Sequence, residues 1–181
     1  MTPVETELFP RITAFEFDEG APEMTFAARL AKDNGWSKVY AMRVIDEYRK
    51  FAFLTIAAGH IAVPSDQVDQ AWHQHLLYTR SWSDFCANAL QMPLHNDPTR
   101  GGESEQARFK ALYEQTLQSY RLVFGEPPED IWPATDIRFG RDLYYRRVNV
   151  EQNIVIPRFW MTALATGAIA FVLAAVVATL N

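Results

Sequence analysis

From Phe159 to Leu180 the chain reads FWMTALATGAIAFVLAAVVATL, without one charged side chain. At about 1.5 Å of rise per residue, a helix of that length crosses a hydrocarbon layer of about 30 Å. Water-soluble domains rarely gather such a run without polar relief. The sequence therefore predicts one membrane span at the C-terminal end and a polar body before it. The competing reading of the same run is a helix buried inside a soluble oligomer. Arg138, Arg141, Arg146, Arg147 and Arg158 precede the span, against only Asp142 and Glu151. Basic flanks stay on the cytoplasmic side, so a single-pass membrane protein with a cytoplasmic N-terminal domain is expected. The opening segment MTPVETELFPRITAFEFDEG is acidic and has no apolar centre, unlike a secretory signal.

The body before the span, roughly 150 residues, suits one domain. Twelve Phe, seven Tyr and five Trp give it the material for a core. A net charge of −5 argues against nucleic acid as a partner. Cys86 is the single cysteine, which excludes an internal disulfide and fits a reducing compartment.

Residues 1–21 show no helical period. Phe15 and Phe17 alternate with Glu16 and Asp18, as in a short strand or an extended arm. Pro22 suits the first turn of a helix through EMTFAARLAKDN that stops at Asn34-Gly35. Ser37 caps the next helix. There Arg43, Asp46, Glu47 and Lys50 read as a solvated stripe, and Val44, Ile45, Tyr48, Phe51 and Ala52 as the inner face. Gly59 and Pro64 bracket a break, and Ser65 with Asp66 starts a third helix. Ser81 and Asp84 resemble a capping box for a fourth, with Trp82, Phe85, Cys86 and Ala89 inward. PLHNDPTRGG is a loop. Ser104 opens a fifth helix whose Phe109, Leu112, Tyr113, Leu117, Tyr120 and Phe124 keep helical spacing until Gly125 and Pro127-Pro128. Trp132-Pro133 is expected to pack back on the body. The expected class is all-α: one bundle-like domain of about five helices plus the C-terminal transmembrane helix. Its parts are an arm at 1–21, a helical domain at 22–133, a juxtamembrane neck at 134–158 and the span at 159–180.

All four histidines (His60, His73, His75, His95) and Cys86 lie within residues 60–95. On a strand the His73-x-His75 pair could chelate zinc from one face. On the helix that the flanks indicate, about 100° per residue turns the two rings apart. His75 then shares the core face with Val68, Trp72, Leu76 and Thr79, and is expected to bond a backbone carbonyl of a neighbouring helix. Asp69, His73 and Arg80 share a flank. Asp69 and His73 at i, i+4 form either a carboxylate–imidazole pair of the kind active sites use or a surface salt link. If the loop folds over the helix, His95 could complete a three-ligand set with Asp69 and His73 for zinc or another divalent metal. Cys86 reads as a small core residue; a Cys–His nucleophile pair has no local signature.

The runs GWSKVYAMRVIDEYRKF, PSDQVDQAWHQHLLYTRSWSDFC, PLHNDPTRGG and FGEPPEDIWP resemble bacterial members of the glycine-rich domain-containing protein-like family. The likeness covers about Ala21 to Pro133, and its W-H-x-H-L signature falls on Trp72, His73, His75 and Leu76. It implies a shared domain rather than a reaction. The chain has only eight glycines and no glycine-rich tail, so a role tied to such a tail does not transfer.

Two functions are compatible with these residues. The first is a tail-anchored, non-catalytic accessory or scaffold subunit of a larger membrane complex, with no cofactor. Ala163, Gly167, Ala170 and Ala174 align within the span and would let a partner's helix approach closely. Arg146, Arg147, Arg158 and Trp160 would meet lipid headgroups. The second is a metal-dependent enzyme or sensor using Asp69, His73 and His95.

Overall fold

The computed structural model describes residues 3–18, 23–95 and 101–140, together with 154 and 156. Residues 1–143 form one compact unit and 144–181 a second. The predicted span lies outside the described residues, as do Ala163, Gly167, Ala170, Ala174, Arg146, Arg147, Arg158 and Trp160. Among the described residues no helix is long and apolar enough to cross a membrane.

The first unit is all-α. In chain order its helices are α1 (Pro3–Ala14), α2 (Phe26–Asn34), α3 (Lys38–Ala57), α4 (Asp66–Leu77), α5 (Thr79–Asp84), a π-helix (Phe85–Leu90), α6 (Glu103–Phe124) and α7 (Thr135–Arg138). Central α3 packs against α1, α2, α4 and α6. Its inner residues Val44, Tyr48, Phe51, Ala52 and Leu54 are wholly buried. These include four of the five residues that the sequence assigns to the inner face of this helix, and Ile45 is buried with them.

The predicted punctuation is largely what the backbone uses. Gly35 ends α2 in the left-handed region, at φ 67°, its amide returning to the carbonyls of the last turn. Ser37 caps α3 by accepting from the Tyr40 amide. Ser65 caps α4 by accepting from the Val68 amide at 3.2 Å, in a fully buried setting. Ser65→Ala leaves that amide unpaired and is expected to cost about 1–2 kcal/mol in chemical unfolding.

The N-terminal segment departs from the expected arm. Residues 3–14 are helical, and Leu8 and Ile12 on α1 are buried in the core. Pro10, inside this helix, masks it in the sequence. Residues 15–18 do run non-helically over the body. Phe17 is buried against Phe26, and the Arg49 guanidinium stacks on Phe17 while donating to the Phe15 carbonyl. The helical body also reaches past residue 133, because α7 packs on α6 and Phe139 meets Tyr113 edge-on.

The predicted cap at Ser81 is absent. The α5 helix begins at Thr79 with no side-chain cap and runs straight into the π-helix. The break after α3 is pinned to α6: His60 pairs with Ser119 at 2.8 Å, and the Val63 amide donates to Thr116 Oγ1 at 2.9 Å.

Candidate functional site

The stripe predicted to be solvated on α3 is not solvated throughout. Glu47 is buried, and its carboxylate is the hub of a polar network. Tyr120 donates to Glu47 Oε2 at 2.7 Å, Trp132 Nε1 donates to the same oxygen at 2.9 Å, and Lys50 Nζ meets Oε1 at 2.8 Å. Lys50 also donates to the Tyr120 hydroxyl. Burial, then the adjacent carboxylate, holds the Tyr120 phenol above its ordinary range. Three separate stretches of chain (α3, α6 and the segment after the Pro127-Pro128 turn) are thereby tied to one carboxylate. A signal existed in the sequence: Glu47 follows Val44 by three residues and precedes Phe51 by four, so it falls within the apolar face.

His73 and His75 diverge as helix geometry requires. His75 is fully buried in a cage of Phe15, Phe17, Phe26, Trp82 and Phe85, with Tyr48 beside it. The ring hydrogen-bonds the Ser81 main chain in the neighbouring α5, the kind of contact the sequence predicts. Nδ1 lies 2.9 Å from the Tyr48 hydroxyl and Nε2 lies 3.1 Å from Ser81 Oγ. This Ser–His–Tyr line has the outline of a nucleophile relay, but proton placement decides against one. Among the described residues the buried Tyr48 hydroxyl has His75 as its one hydrogen-bond partner, so its hydrogen goes to Nδ1. Nε2 then carries the ring hydrogen and donates to Ser81. An imidazole in that tautomer has no lone pair free to take a proton from Ser81 or to bind a metal. Burial lowers its pKa from 6.5 to about 4, which keeps it neutral.

His73 is exposed and sits 3.4 Å from Asp69. Burial pushes the Asp69 carboxyl above its usual range, and the charges of His73 and Arg138 pull it back down. His95 does not join this pair: among the described residues no three His, Cys, Asp or Glu side chains form a group that could hold a metal ion. Losing the Asp69 contact by His73→Ala is expected to cost under about 1 kcal/mol. A clearly larger loss on urea unfolding would show that His73 carries more than a surface pair.

His95 instead lines an open cleft of about 560 Å³ with Trp82, Ser83, Cys86, Ala87, Gln91, Met92, Pro93 and Leu94. Cys86 is half-buried here, not sealed in the core. Burial raises its thiol pKa, against a main-chain hydrogen bond from Leu94 that works the other way.

A model of the UCP032817-like family matches residues 11–120, more than half of the chain, and the chain belongs to that family. The match spans the last turn of α1, α2 to α5, the π-helix and most of α6, and so contains both the His75 cage and the cleft. No curated protein matches the chain, and no solved structure does.

Proposed function

We propose that this member of the UCP032817-like family is a non-catalytic accessory or scaffold subunit, held to a membrane by Phe159–Leu180 and docking on a larger membrane assembly. The observation that carries the reading is the uncharged run itself, directly after an arginine-rich stretch. The folded part is compatible with it. The histidine of the W-H-x-H run that faces inward is spent on the core, and the one that faces outward meets a single carboxylate. The resemblance to the glycine-rich domain-containing protein-like family belongs to the same proposal, as a shared helical domain carried on a different tail. Ala163, Gly167, Ala170 and Ala174 would supply the close-approach face toward an integral partner, and Arg146, Arg147, Arg158 and Trp160 the headgroup contacts.

Cell fractionation tests the anchor. The full-length chain should sediment with membranes and resist alkaline carbonate, and a chain ending at residue 158 should move to the supernatant. Release of the full-length chain without detergent would overturn the reading. Gly167→Leu tests docking separately: it should leave the chain in the membrane fraction but weaken retention of the partner in mild detergent.

A further inference from the structure

The open cleft beside the π-helix is lined by two soft donors, Cys86 and Met92, and by the imidazole of His95. Trp82 and Cys86 stand at i, i+4, one above the other. The chain then widens into the π-helix and turns sharply at Gln91, φ 59°, the one non-glycine residue in the left-handed region among the described residues. It comes back along its own path. The Met92 amide donates to the Cys86 carbonyl at 3.1 Å, and the Leu94 main chain hydrogen-bonds the Cys86 thiol. Met92 and His95 thereby line the same cleft as Cys86.

We propose that this cleft binds one copper(I) ion through the Cys86 thiolate, the Met92 thioether and the His95 imidazole, with the Trp82 indole closing it. The donor set selects the ion. A thioether is a poor ligand for hard divalent cations, and no carboxylate is among the described lining residues, whereas thiolate with thioether suits copper(I). An indole face attracts a monovalent cation. The Leu94 amide at the sulfur is the kind of outer contact that orients a thiolate ligand and tempers its charge. On binding, the Cys86 S–H bond breaks, its proton leaves to solvent, and a sulfur–copper bond forms with no change of oxidation state. The site shares only His95 with the Asp69–His73–His95 set, and it stands whether or not the chain is an accessory subunit.

The full-length protein in detergent, kept reduced and anaerobic, is titrated with copper(I) against a chromophoric copper(I) chelator, and with silver(I) as a redox-inert probe. Wild type should retain one equivalent of either ion and show quenched tryptophan emission. Cys86→Ser should weaken binding by roughly 100-fold, and Met92→Leu and His95→Ala by roughly tenfold each. All three should keep the wild-type circular dichroism, because their side chains stand at the cleft and not in the sealed core. The quenching should vanish in Trp82→Phe. Wild-type affinity in Cys86→Ser would overturn the proposal. So would undiminished binding in both Met92→Leu and His95→Ala, which would mark a solitary thiol. Tighter retention of zinc(II) than of copper(I), or quenching that persists in Trp82→Phe, would overturn the assignment of the ion or of its position.

Discussion

Glu47→Ala should be the most damaging single substitution of a polar side chain in the helical body, at about 3–5 kcal/mol. The cost comes from what the carboxylate leaves behind. The Tyr120 hydroxyl and the Trp132 indole N–H are both buried, and both donate to Glu47 Oε2. Removing it strands both, because the Lys50 ammonium is itself a donor and can accept from neither. The ammonium itself suffers least, because Lys50 is partly exposed and can turn to water. Glu47→Gln keeps the shape and one acceptor oxygen, so its cost should be nearer 1–2 kcal/mol. Urea unfolding of the full chain, followed by tryptophan fluorescence, measures both. A double-mutant cycle with Trp132→Phe should show coupling above about 1 kcal/mol. The Arg43–Asp130 pair is the internal control. It is bidentate, at 2.7 and 2.9 Å, but half-exposed, and its removal should matter far less. Equal losses at Glu47 and Arg43 would mean the buried network contributes no more than a surface pair.

The contrast between those two acidic contacts also shows what the sequence of α3 does and does not disclose. Charged residues at i, i+3, i+4, i+7 read as a solvated stripe; Arg43 and Asp46 obey, and Lys50 does so only in part. Glu47 breaks the pattern because its partners lie more than seventy residues away, in α6 and beyond it. No local rule can place a tyrosine hydroxyl and an indole N–H over a given carboxylate. Helix starts and stops were legible for the opposite reason: the Ser37 and Ser65 caps and the Gly35 stop are made within a few residues of themselves. The Ser81 signal failed because its hydroxyl is engaged by His75 and does not cap its own helix. Helix α1 was hidden by Pro10, and only packing of Leu8 and Ile12 on the core secures it. The divergence of His73 and His75 followed from helix pitch alone. The Tyr48 partner of His75 did not, since it reaches the ring from another helix. The cleft was invisible in sequence, because Met92 and His95 meet the Trp82–Cys86 face only after the turn at Gln91.

Acid should unfold this domain through His75, and the sign and window follow from its surroundings. Folded, the ring has a pKa of about 4; unfolded, it returns to 6.5. Above about pH 7 the ring is neutral in both states and contributes no slope. Between 6.5 and 4 the unfolded chain takes up a proton that the folded chain refuses, so stability falls as pH falls. The loss approaches about 3 kcal/mol by pH 4 and levels off below it, where both states are protonated. The physical cause is the cage: a cation there would lose its hydration among Phe15, Phe17, Phe26 and Phe85, and the Tyr48 hydroxyl would have to give up Nδ1 as an acceptor. Asp69 works in the opposite sense. Its folded carboxyl is held above the ordinary value by burial, so it favours the folded state as pH falls from that raised value through 3.8, and it softens the acid end of the curve. Urea midpoints of the full chain at half-unit steps from pH 7.5 to 4 give the test. Wild type should lose stability progressively below pH 6.5. His75→Gln should start lower at pH 7, because Tyr48 and Ser81 keep an imperfect partner, and should then run nearly flat across the same range. An unchanged slope in His75→Gln would assign the acid sensitivity to another group, and the caged imidazole would no longer explain it.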